Sequence, residues 1–63
     1  MQTYYRLYAK FDGQKQFKPL DMATGTQVTN LIYATMIPEF NLGILKQIIK
    51  DNSETEFKIV KIK

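Results

Sequence analysis

The chain contains neither cysteine nor histidine. Without cysteine no disulfide can staple the fold, and without both residue types the usual ligands of a structural zinc are missing. There is no thiol nucleophile and no imidazole base, so a triad-type hydrolase is excluded. The three glycines, Gly13, Gly25 and Gly43, are too scattered for a GxGxxG or GxxxxGK[ST] phosphate loop. No apolar run approaches the ~18 residues of a membrane span, and no signal-peptide pattern opens the sequence. A length of 63 residues leaves no room for a second core, which needs on the order of 50 residues of its own. One small soluble domain is expected, held by packing alone and with little stability to spare. The missing cysteines fit a reducing compartment, and a cytoplasmic location is the expectation. The carboxylates Asp12, Asp21, Glu39, Asp51, Glu54 and Glu56 remain. A pair of them needs a desolvating cleft to do acid–base chemistry, and a thin domain offers little space for one. The expectation is therefore a protein that is not an enzyme and carries no cofactor or metal.

What is present is patterned. From Thr3 to Phe11 the residues alternate strictly, with Tyr5, Leu7, Ala9 and Phe11 on one side and Tyr4, Arg6, Tyr8 and Lys10 on the other. That period of two predicts a half-buried strand. Asp12-Gly13 then signals a hairpin, its loop lengthened by Gln14 to Gln16, with a return strand over residues 16–20 that sets Phe17 across the sheet. Pro19 cannot donate to a ladder, so this strand belongs at an edge. Residues 21–27 read as a loop around Gly25. Residues 31–35 read as a third strand, on their β-branched and aromatic content.

Pro38 suits the first turn of a helix, where its missing N–H is harmless, and Glu39 suits the positive end. Phe40, Ile44, Leu45, Ile48 and Ile49 then recur at helical spacing, with Leu42 on the flank, which predicts a helix over residues 38–50. Gly43 inside it points to close approach to the sheet, and Asn52 is the candidate for a left-handed cap. Residues 55–62 read as a closing strand in which Phe57 and Ile59 share one face while Val60 and Ile62 share the other. This slip predicts either a bulge near Val60 or apolar surface on both faces. The fold class expected is α+β: a three- to four-stranded antiparallel sheet with one helix packed on one face, in the order β-β-β-α-β.

The opening strand ending Lys10-Phe11-Asp12-Gly13, the stretch Leu31-Ile32-Tyr33-Ala34-Thr35, the helix after it and the lysine-rich last strand together resemble a known loose group. These are the short uncharacterised proteins encoded by bacteriophages and other bacterial mobile elements, built as hairpin, strand, helix and strand. The sequence departs from them in entering its helix through Ile37-Pro38 rather than a Ser or Asp cap. The resemblance covers most of the chain and implies an accessory protein that binds something in a bacterial host. It transfers no site residue.

Among the residues themselves, Tyr4, Arg6, Tyr8 and Lys10 form the most suggestive constellation, a ridge about 20 Å long at strand spacing. Lys58 joins it if the last strand lies beside the first, and Lys61 and Lys63 extend its positive end. Rings and cations in alternation can stack bases and meet phosphates, as in single-stranded nucleic-acid binders. The same arrangement also arises from ordinary cross-strand packing. Net charge is +3, concentrated in residues 1–20 and 46–63 while residues 21–45 carry −2, a modest total for a nucleic-acid domain. Asp51-x-Ser53-x-Thr55-Glu56 looks like the start of a calcium loop but lacks the glycine and the twelfth-position ligand such a loop requires. Three functional classes follow. The leading expectation is an accessory protein that engages a partner protein through the open sheet face or an edge strand. The alternatives are a nucleic-acid module using the ridge and a homodimer hiding an edge strand or a second apolar face. No membrane partner is expected.

Overall fold

The computed structural model describes residues 3–62. Five short strands and one α-helix form the α+β arrangement expected: β1 (Tyr4–Lys10), β2 (Lys18–Asp21), β3 (Thr26–Gln27), β4 (Ile37–Pro38), α1 (Leu42–Asp51) and β5 (Glu56–Ile62). All strand pairs are antiparallel. β1 is the hub. β5 pairs with it along its whole length, Tyr4 opposite Ile62 through Lys10 opposite Glu56. The other edge of β1 is shared, by β4 at Tyr4 and Tyr5 and by β2 at Tyr8 and Ala9, while β3 lies outside β2.

The alternation in β1 does what it predicts. Leu7 and Ala9 are buried and, with Leu20 and Leu45, make the centre of the core. Tyr5, Ile37, Phe57 and Ile59 pack around it from the sheet, and Leu42, Ile48 and Ile49 from the helix. Phe11 departs from the expectation: the strand ends at Lys10 and the ring is exposed at the turn. There Gln14 N–H donates to Phe11 C=O at 3.0 Å, and Gly13 takes φ +84°, a conformation that costs other residues strain.

Several boundaries and faces move. β2 starts at Lys18 rather than residue 16, and the Phe17 ring lies just before it, 5.2 Å from Lys10 Nζ. The expected loop over 21–27 ends in a two-residue strand, β3. The third strand expected over 31–35 is instead a 3-10 turn, Leu31–Tyr33, capped by Asn30, whose Oδ1 accepts from Ile32 N–H at 3.1 Å. A polar side chain can satisfy backbone donors locally, and this cap outweighs β propensity. Strand pairing comes later, at Ile37–Pro38. Pro38 is therefore extended (φ −68°, ψ 155°), and helical structure starts at Glu39 with a 3-10 turn, Glu39–Asn41, that leads into α1.

The inner face of α1 is Leu42, Leu45, Ile48 and Ile49. Phe40 is 74% exposed and Ile44 50%. At 100° per residue, Leu42, Ile48 and Ile49 lie within about 60° of Leu45, whereas Ile44 stands about 100° away; Phe40 precedes the helix, in the 3-10 turn. Gly43 also faces outward, and a Cβ built there meets nothing within 4 Å, so no close approach to the sheet explains it. Asn52 is not left-handed (φ −122°, ψ 53°). It closes the helix through both its backbone N–H and its Nδ2, which donate to Ile48 C=O at 3.1 and 2.9 Å. The register of β5 against β1 runs without interruption, so there is no bulge at Val60. The slip in its pattern reflects apolar residues on both faces: Phe57 and Ile59 under the helix, Val60 and Ile62 on the opposite side.

Candidate functional site

Residues paired directly across an antiparallel ladder project from the same side of the sheet. The pairs Tyr4–Ile62, Arg6–Val60, Tyr8–Lys58 and Lys10–Glu56 therefore line the face opposite the helix. Pro38, opposite Tyr4, and Pro19, opposite Tyr8, continue it onto β4 and β2. All five residues singled out from the sequence, Tyr4, Arg6, Tyr8, Lys10 and Lys58, thus stand on this one face. Lys61 does not: it pairs with Tyr5 and stands on the helix side. Lys63 lies outside the described residues.

The face is graded rather than uniformly exposed. Tyr4 and Lys58 are exposed, while Arg6, Tyr8, Val60, Ile62, Pro19 and Pro38 are half-buried by their neighbours. At one end Lys10 is engaged internally, with Nζ 3.1 Å from Glu56 Oε2 and poised above the Phe17 ring. This is the only ion pair among the described residues, and it removes one cation from the ridge. Arg6 Nε is shut off from water and has no hydrogen-bond partner among the described residues. Arg6 and Lys58 remain as charges without a carboxylate partner among the described residues.

The sequence pattern missed Pro19 and Pro38 as members of this face. Pro38 belongs to a strand of two residues, too short for any period to show. Val60 and Ile62 were visible only as a break in alternation.

Chemically the face offers two phenol rings, aliphatic surface and two cations. Two hollows, of about 250 and 300 Å³, lie elsewhere, on the loop Asp51 to Thr55 and beside Gln14, Lys15, Gln16 and Lys18. Among the described residues no three Asp or Glu side chains stand close enough to hold a metal ion, at the calcium-loop fragment or anywhere else. No helix among them is long and apolar enough to cross a membrane. No family model, no curated protein and no solved structure was found to match the chain.

Proposed function

We propose that the protein is a non-enzymatic binding module whose open sheet face engages the surface of a partner protein. The observation that carries this reading is the row Tyr4–Arg6–Tyr8 on the sheet face opposite the helix, which no helix or strand among the described residues covers, flanked by Val60, Ile62, Pro19 and Pro38. Tyrosine and arginine are the side chains that most often dominate interfaces, and aliphatic neighbours help them exclude water. The unpartnered Arg6 and Lys58 favour a partner with acidic groups around an apolar centre. The resemblance to mobile-element proteins would place that partner in a bacterial host.

Single-stranded nucleic acid fits the face less well. The Lys10–Glu56 pair lowers its charge, and aliphatic side chains rather than further rings stand beside the tyrosines. The test is affinity capture from a bacterial lysate, with and without nuclease, by wild type, Tyr8→Ala and Arg6→Ala. A protein retained after nuclease treatment and lost with Tyr8→Ala supports the proposal. Capture abolished by nuclease would move the assignment to nucleic acid. Capture indifferent to both substitutions would remove the face from consideration.

A further inference from the structure

A second surface stands apart from the open face. Six of the eight large hydrophobic side chains that are exposed fall within residues 31–44: Leu31, Ile32, Tyr33, Met36, Phe40 and Ile44, between 45% and 77% exposed. The topology places them along the β2–β4 edge of β1 and in the helical segment that follows it. The 3-10 turn Leu31–Tyr33 packs against β2, and Thr35 is clipped to the same strand, its N–H donating to Leu20 C=O at 3.1 Å and its Oγ1 accepting from Met22 N–H at 2.9 Å. β4 follows on that edge of β1 and feeds the 3-10 turn that holds Phe40 and then the helix that holds Ile44. β4 and β5 run parallel with β1 between them, so α1 is a crossover connection. A right-handed crossover, the form such connections almost always take, sets the Ile44 flank on the β2–β4 side and the Lys46–Lys50 flank on the β5 side, with Phe40 in the 3-10 turn just before the helix.

The size of this surface is informative. At about 200 Å² per fully exposed large side chain, the six leave roughly 700 Å² bare. That exceeds the ~300–600 Å² of the largest apolar patch on a typical monomer. It matches the ~800 Å² that each partner contributes to a standard interface. The whole molecule agrees: its accessible surface is 4836 Å², against about 4200 Å² expected of a compact monomer of its mass.

We infer that this surface is covered by a second copy of the chain in a two-fold symmetric dimer. A two-fold interface sets a patch against itself, so it must tolerate its own charges. Between Met22 and Leu45 the only charged residue is Glu39, and its carboxylate already accepts from Tyr5 OH. Self-apposition here brings no rows of like charge together. The open sheet face is the opposite case, since pairing it with itself would set Arg6 and Lys58 against their own copies. A lipid surface is disfavoured by the same count, because there is no Lys or Arg between Lys18 and Lys46 to meet headgroups. The dimer leaves the Tyr4–Arg6–Tyr8 face free, so it stands or falls separately from the proposed function.

Sedimentation of the full chain from micromolar to millimolar concentration tests the inference, with Phe40→Glu, Ile32→Glu and Arg6→Ala alongside. The mass should rise from 7.4 kDa to twice that value. Phe40→Glu and Ile32→Glu should each weaken the dimer by about tenfold or more, and Arg6→Ala should not change it. The two glutamates enter different elements at exposed positions, so the monomer fold, checked by circular dichroism, survives at least one of them. A wild-type chain that stays at 7.4 kDa in the millimolar range overturns the inference. So does a dimer indifferent to both glutamates, which would belong to the β5 edge or the open face. A monomer that pellets with phospholipid vesicles would overturn it in favour of a membrane.

Discussion

At the scale of single residues, Tyr5 is a group whose titration the fold alters. Loss of solvent, then the nearby Glu39 charge, then the long 3.4 Å hydrogen bond to its carboxylate together raise the phenol above its ordinary 10.0. A raised value means that the folded state holds the proton more tightly than the unfolded chain. The resulting stability is present in full below pH 10 and is lost as pH rises through the folded-state value. In an NMR titration Tyr5 should deprotonate after an ordinary tyrosine, and Glu39→Gln should bring it part of the way back. No movement in Glu39→Gln would mean that the carboxylate has no hold on the ring. Gly43 offers a simpler test. It sits in the helix with open space around it, so Gly43→Ala should stabilise the protein by about 0.5–1 kcal/mol in a denaturant melt. Gln27 is the reverse case. Its Nε2 donates to Ala9 C=O at 2.9 Å, and its amide pairs with that of Gln14 at 2.6 and 2.7 Å. Gln27→Ala strips partners from both, and the expected loss is about 1–3 kcal/mol.

At the scale of elements, the helix shows how far a pattern can be read. A single stripe cannot hold all of Phe40, Leu42, Ile44, Leu45, Ile48 and Ile49, and spacing alone does not say which of them face water. The sheet decides, by presenting Leu7 and Ala9 to Leu45. Leu45→Ala should cost about 2–5 kcal/mol, whereas Phe40→Ala and Ile44→Ala should cost the monomer less than about 0.5 kcal/mol. Denaturant melts of the three variants at low concentration check this, and equal losses would refute the helix orientation. β1 and β5 were legible because seven residues give alternation room to show. β3 and β4 were not, because two residues carry no period: β3 exists as the return of a tight hairpin on β2, and β4 through pairing with β1, distant in the chain. The 3-10 turn at Leu31–Tyr33 hid behind β-branched and aromatic residues, whose preference for a half-buried sheet surface is overruled where the Asn30 side chain caps the turn and no ladder forms. Of the candidate site, the β1 ridge could be read directly and Lys58 depended on the pairing of β5. The contribution of the two prolines came only from tertiary structure.

At the scale of the whole molecule, the hub position of β1 concentrates stability. About 0.05–0.15 kcal/mol per residue implies a total of only about 3–9 kcal/mol for a chain of this length. Leu7, 1% exposed under the helix, and Tyr8, half-buried on the open face, are adjacent in sequence yet belong to different economies of burial. Leu7→Ala should therefore cost about 2–5 kcal/mol, enough to leave the fold close to melting. Tyr8→Ala should spare the fold more and weaken what binds the face. A marginal monomer also makes association visible in thermal stability, because whatever binds only the native state raises the melting temperature with its concentration. If the surface over residues 31–44 is buried in a dimer, the midpoint should climb by about 3–5 °C for each tenfold rise in protein concentration. Phe40→Glu should flatten that dependence while leaving the dilute-limit midpoint nearly unchanged, since its ring is mostly in water in the monomer. Arg6→Ala should leave the slope as it is. A midpoint independent of concentration in the wild type would show that the apolar side of the molecule contributes nothing to its stability by self-association.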